Sequence, residues 1–141
     1  MFEWFNQKSN KVGFDDMQKA IRSQDKYLII NTLQMGEQDC LIRHTISINQ
    51  EEKMINDLIS NYAHHTKIII LYGKNATDVS PEKKYKQFQS LGFSHIYIYA
   101  GGLFEWMLLQ DIYGDDEFPT TSKVLDILKY SGNQGYTQGR I

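Results

Sequence analysis

Six consecutive residues, Lys67-Ile68-Ile69-Ile70-Leu71-Tyr72, constrain this chain more than any others. An uninterrupted apolar, β-branched run of this kind suits a strand buried on both faces, as in a parallel sheet with helices above and below. Gly73 ends the run, and a polar loop, Lys74-Asn75-Ala76-Thr77-Asp78-Val79, leads to Ser80-Pro81. Serine accepts hydrogen bonds from the free amides of a helix start and proline suits the first helical position, so the pair predicts a helix with Ser80 as its cap. Tyr85, Phe88, Leu91 and Phe93 are expected on its inner side, and Gly92 is expected to stop it in a left-handed conformation. A strand, Ile96-Tyr97-Ile98-Tyr99, and a helix opened by Gly101-Gly102 and running from Leu103 to Ile112 complete a βαβ pattern.

The flanking sequence supplies the rest of one domain. Val12-Gly13-Phe14 reads as a short strand, and Asp15 as the cap of a helix from Asp16 to Ser23 with Met17, Ala20 and Ile21 on one face. Tyr27 to Thr32 is a buried strand. Thr45-Ile46-Ser47-Ile48 alternates as an edge strand does. Met54, Ile55, Leu58, Ile59 and Tyr62 recur at helical spacing over Gln50 to Tyr62. Phe118-Pro119 is expected to fold back on the body, and Thr121-Ser122 to cap a last helix over Lys123 to Tyr130. The expected fold is therefore α/β, a five-stranded, mostly parallel sheet with helices on both faces. The domain spans 12–130, with an aromatic arm over 1–11 and a flexible, polar, glycine-rich tail over 131–141.

Charge and cysteine usage narrow the function classes. A formal net charge of −2 gives no general attraction to nucleic acid or anionic membrane. The Lys83, Lys84 and Lys86 cluster reads as a solvated helix face. With Cys40 as the single cysteine, an internal disulfide and a cysteine zinc cluster are both impossible. His64-His65 reads as a solvated helix end, because adjacent side chains diverge and no further ligand stands at metal spacing. The expectation is a cytoplasmic protein that binds no metal or cofactor.

Three segments in order, the apolar strand ending at Tyr72 and Gly73, Leu91-Gly92-Phe93-Ser94-His95-Ile96-Tyr97, and Ala100-Gly101-Gly102-Leu103-Phe104-Glu105-Trp106, resemble the rhodanese family over about residues 12 to 112. The resemblance implies a loop after the central strand in which a cysteine accepts sulfane sulfur and the loop amides stabilise the anion. Here Gly73 holds the cysteine position. The six residues between Gly73 and Ser80 bring the loop closer in length to the related dual-specificity phosphatases, whose phosphate-binding arginine is replaced by Val79. The family's Asp-any residue-Arg signature is Asn31-Thr32-Leu33, and His44 stands as the remnant of a histidine in the segment that follows.

The resemblance thus implies the scaffold with neither the nucleophile at 73 nor the arginine at 79. The expected function is a non-catalytic domain working through protein contacts, as a regulator or a structural component of an assembly. Its candidate contact or anion-binding loop is Gly73, Lys74, Asn75, Ala76, Thr77, Asp78, Val79 and Ser80, beside the Gly101-Gly102 turn, where glycine permits close backbone approach. Asp78 weakens anion binding by placing a negative charge at the mouth. Two other readings stay open: a divergent sulfurtransferase using Cys40, and a small-anion or phosphopeptide-binding module.

Overall fold

The computed structural model describes residues 10–132. Most of the expected N-terminal arm and C-terminal tail lies outside the described residues. Chain order is β1 (Lys11–Val12), α1 (Phe14–Arg22), β2 (Tyr27–Asn31), α2 (Ile48–Ser60), β3 (Ile68–Tyr72), α3 (Ser80–Ser90), β4 (Ile96–Tyr99) and α4 (Gly102–Tyr113). Short 3-10 turns occupy Met35–Glu37 and Ile127–Tyr130. The strands form one parallel sheet in the order β1-β4-β3-β2, with Ile70 opposite Ile29 on one side and Tyr97 on the other.

The continuous apolar run is explained by its central place. Alternate residues of β3 feed two separate cores. Ile70 and Tyr72 join Met17 and Ala20 of α1 and Leu103, Trp106 and Met107 of α4. Ile69 and Leu71 point the other way, toward Ile55 of α2 and Phe88 of α3. Each fully buried Ile or Leu stabilises the fold by about 1.5–3 kcal/mol relative to an exposed one. Phe118 does tuck back: it is buried against Trp106, whose indole N–H donates to the Pro119 carbonyl at 3.0 Å.

Among the described residues the sheet has four strands, not five. The expected strand at Thr45–Ile48 shrinks to one parallel bridge, Thr45 with Ile29, followed by an Ile46 N–H bond to the Ile29 carbonyl at 2.8 Å. Ser47 cannot extend it, because its carbonyl already accepts from the Gln50 and Glu51 amides as the start of α2. The expected last helix is likewise only the 3-10 turn. Thr121 and Ser122 bond instead to segment 39–41: Leu41 N–H to Thr121 Oγ1 at 3.0 Å, and Ser122 Oγ to the Asp39 carbonyl at 3.0 Å. Tertiary partners took the side chains that would have capped a helix.

Smaller expectations also move. Gly13, not Asp15, precedes α1, and the Asp16 carboxylate accepts from its N–H at 3.3 Å. Tyr62, expected inward, is 90% exposed at a φ of 53°, and Leu91 is also exposed. Gly92 has the expected left-handed φ, 104°. Lys84 is not simply solvated, since it pairs with Glu51 of α2 and lies over the Phe88 ring.

Tyr72 ties the irregular segment to the central strand. Its hydroxyl oxygen accepts the Ile42 N–H at 3.1 Å and pairs with Thr45 Oγ1 at 2.8 Å, while Thr45 Oγ1 donates to the Ile42 carbonyl at 2.6 Å. Burial pushes the phenol pKa well above its usual range, against the lowering effect of these two partners, so the group stays protonated. Tyr72→Phe leaves the buried Ile42 N–H without an acceptor. We expect it to lower stability by about 1–3 kcal/mol, read as a reduced urea midpoint at unchanged slope.

Candidate functional site

The loop from Gly73 to Val79 leaves the carboxyl end of the central strand, where open α/β sheets place their ligands. Its form is set by two short polar side chains that bond back to their own backbone, as Asn and Asp do in turns. Asn75 Oδ1 accepts from the Thr77 N–H at 3.0 Å and from the Thr77 hydroxyl at 2.8 Å. Asp78 does more. Its Oδ2 accepts from Lys74 N–H at 2.8 Å, and its Oδ1 from Ser80 N–H at 2.9 Å and Ser80 Oγ at 2.7 Å.

Asp78 therefore performs two tasks that the sequence suggested for other groups. It caps the first amide of α3, where Ser80 was expected to cap; Ser80 instead is the first helical residue, and Val79 precedes the helix. Its carboxylate also lies beneath Gly73 while lining the cleft above the loop. A Cβ built on Gly73 would come within 2.9 Å of Asp78 Cγ and of Pro81 Cγ, and closer still to Asp78 Oδ2. The carboxylate thus fills the space into which a side chain at position 73 would grow. The Lys74 and Ser80 amides of the loop are thus taken by a carboxylate of the chain's own.

Burial opposes ionisation of Asp78, but the Lys74 and Ser80 donors and the nearby Lys74 charge outweigh it and hold the pKa below the usual carboxylate range. A carboxyl with a lowered folded-state pKa contributes stability above its unfolded pKa, about 3.9, and loses it as pH falls through the folded value. Asp78→Asn is therefore expected to be less stable than the native chain by about 1–2 kcal/mol at pH 7. The gap should narrow steadily below about pH 4; paired urea titrations at several pH values measure it.

The glycine pair does what close approach requires. Gly102 has a φ of 70°, and a Cβ there would lie 2.8 Å from the Gly73 carbonyl oxygen and 2.9 Å from the Asn75 nitrogen. This contact lets the first amides of α4 reach the loop: Leu103 N–H donates to the Gly73 carbonyl at 3.0 Å, and Phe104 N–H to the Lys74 carbonyl at 2.9 Å. At Gly101 the nearest crowding atoms belong to Glu105, whose carboxylate accepts the Tyr99 hydroxyl at 2.5 Å.

Above the loop lies a cleft of about 540 Å³, walled by Thr32, Gln34, Lys74, Asn75, Ser80 and Lys129 among others. A neighbouring cleft of about 360 Å³ shares Thr32, Leu33 and Ser80 and runs on to Ile48, Glu51 and Gln87. Inside the first, Lys74 pairs with Glu37 at 2.9 Å, and Thr32 Oγ1 meets Ser80 Oγ at 2.7 Å. Val79 is exposed, as are Ala76 and Thr77.

Other candidate residues fall away from this place. Cys40 is 1% exposed, its thiol donates to the Ser122 carbonyl at 3.3 Å, and it does not line the cleft. His44 is exposed with a φ of 70°, its ring against the Gln24 amide. His64 packs on Phe93, and His65 bonds Ser94 Oγ at 2.9 Å, so neither is merely solvated. Among the described residues no group of three or more His, Cys, Asp or Glu is placed to hold a metal, and no helix is long and apolar enough to cross a membrane. Sequence reasoning missed Thr32, Glu37 and Lys129. Their only signal is spatial, since Thr32 and Glu37 come from the connection after β2 and Lys129 from the segment after α4.

A four-stranded parallel sheet with paired helix layers, a polar loop closing on the start of a helix, and a Gly-Gly turn packed on that loop define a rhodanese-type α/β domain. The sequence profile of the rhodanese-like domain matches residues 8–109, and the chain belongs to that family. No curated protein matches the sequence. Solved structures share the fold. A Bacillus halodurans protein has a TM-score of 0.58 at 18% identity, covering 75% of this chain and 77% of that one. A Saccharomyces cerevisiae single-domain sulfurtransferase has 0.53 at 19%, covering 79% and 96%. A yeast protein tyrosine phosphatase of the rhodanese family has 0.56 at 12%, covering 83% and 94%.

Proposed function

We propose that this chain is a non-catalytic rhodanese-like domain that works through protein contacts, with the Gly73–Ser80 loop and the cleft above it as the contact site. The observation that carries the reading is the Asp78 carboxylate. It takes the Lys74 and Ser80 amides of the loop and stands where a nucleophilic side chain at position 73 would need to be. Sulfur transfer through a persulfide needs an accessible thiolate with donors around it. Gly73 supplies no thiol, and Cys40 is buried with its thiol turned to a carbonyl. Phosphate transfer lacks the arginine, since Val79 stands in its place, and an incoming phosphate would meet the Asp78 charge. The cleft offers hydroxyl, amide and charged side chains on both walls, as polar interaction surfaces do.

The test is turnover with both substrate classes: thiosulfate with cyanide as acceptor, and p-nitrophenyl phosphate. The expected result is background rate for both in the native chain, unchanged by Cys40→Ser. Sulfur transfer abolished by Cys40→Ser would overturn the reading in favour of a relocated sulfurtransferase.

A further inference from the structure

The chain returns to the loop from a distance. After the turn Ile127–Tyr130 the backbone extends at Ser131, and its residues cross the loop as a strap. Asn75 Nδ2 donates to the Tyr130 carbonyl at 2.8 Å. The Thr77 hydroxyl, which donates to Asn75 Oδ1, has the Gly132 carbonyl as a second acceptor at 3.4 Å. Where the strap crosses, a Cβ on Gly132 would lie 2.7 Å from Asn75 Oδ1 and closer still to Thr77 Oγ1. Tyr130 is buried in the α1–α4 core, while Leu128 beside it is 70% exposed.

These contacts have one character. The loop side chains address the strap's carbonyls, one ring anchors it, and a glycine sits where space runs out. A surface of that kind recognises an extended peptide by its backbone and by one side-chain pocket. Among the described residues, Asn75 and Thr77 hold the strap by hydrogen bonds to its carbonyls and the Tyr130 ring anchors it, a hold that can open locally without unfolding the sheet.

We propose that the Gly73–Ser80 loop is a backbone-reading dock whose resident ligand is the chain's own strap, Tyr130–Gly132. A partner segment of the same form, extended, with an aromatic residue two positions before a glycine, takes the same place when the strap leaves. The proposal rests on the protein-contact reading and names the kind of partner.

The full chain with Cys40→Ser carries the test. Thr77→Cys with Gly132→Cys, closed by mild oxidation, locks the strap down, and Tyr130→Ala removes its anchor. The probe is a labelled peptide of residues 127–132, Ile-Leu-Lys-Tyr-Ser-Gly. The peptide is expected to bind the Tyr130→Ala chain, to bind at least tenfold more weakly when its glycine is replaced by valine, and to be excluded by the locked chain. Equal binding to locked and open chains, or none to a natively folded Tyr130→Ala chain, overturns the proposal. Should Tyr130→Ala not fold, hydrogen exchange at Thr77 and Asp78 decides: at least tenfold slower in the locked than in the reduced chain is expected, and equal rates overturn it. A failed peptide result would leave the turnover assays untouched, so the two readings fail separately.

Discussion

Gly73→Cys, which places a thiol where the rhodanese resemblance implies a nucleophile, is expected to destabilise the chain by about 1–3 kcal/mol, as overpacking of a filled space does, and to give no sulfur transfer. The new Cβ meets Asp78 Cγ and Pro81 Cγ at 2.9 Å, and the carboxylate is fixed by three donors, so it cannot simply swing away. A thiolate there would also face a carboxylate, which raises its pKa and lowers its reactivity. Gly73→Cys with Asp78→Gly removes the carboxylate's bulk and charge, leaving only the Pro81 contact, and frees the Lys74 and Ser80 amides for the thiolate. A double-mutant cycle should show the pair more stable than the sum of the single changes by at least about 1 kcal/mol. Cyanide-dischargeable sulfur should load on the double variant alone. If Gly73→Cys by itself is as stable as the native chain, Asp78 does not fill the place assigned to it.

Gly102→Ala carries the second large effect. The positive φ of 70° costs a residue with a Cβ about 1–2 kcal/mol. The clash with the Gly73 carbonyl and the Asn75 backbone adds about 1–3 kcal/mol, because backbone atoms cannot rotate aside. The sum, roughly 2–5 kcal/mol, is a large fraction of a typical domain's stability. Chemical denaturation should show it as a midpoint shift. Hydrogen exchange should show the loop amides and the first turn of α4 opening first, since Leu103 and Phe104 donate to the loop carbonyls. Gly101→Ala, at a φ of −65°, meets first the Glu105 side chain, which can move aside, and is expected to cost much less.

How much of this was legible follows from where each signal lies. The unit from β3 to α4 could be read because its cues are local: a continuous apolar strand, Ser80-Pro81, Gly92 and the Gly-Gly pair. The segments that misled were those whose polar side chains found distant partners. Thr121 and Ser122 look like caps until residues 39–41 take them, and Thr45–Ile48 looks like a strand until Ser47 begins α2. Asp78 was legible in kind but not in place. An Asp two residues before Ser80-Pro81 is a local turn-and-cap signal, yet its reach back to Lys74 and its position under Gly73 needed the folded loop. The strap left no mark in sequence at all, since Asn75 and Tyr130 are 55 residues apart.

The most direct test of the central claim, that the loop holds its own carboxylate and the chain transfers no sulfur, is intact-mass spectrometry after incubation with thiosulfate or 3-mercaptopyruvate, followed by cyanide. The account predicts an unmodified mass under conditions that load an active rhodanese. A persulfide on Cys40 that cyanide discharges, with turnover, would contradict it.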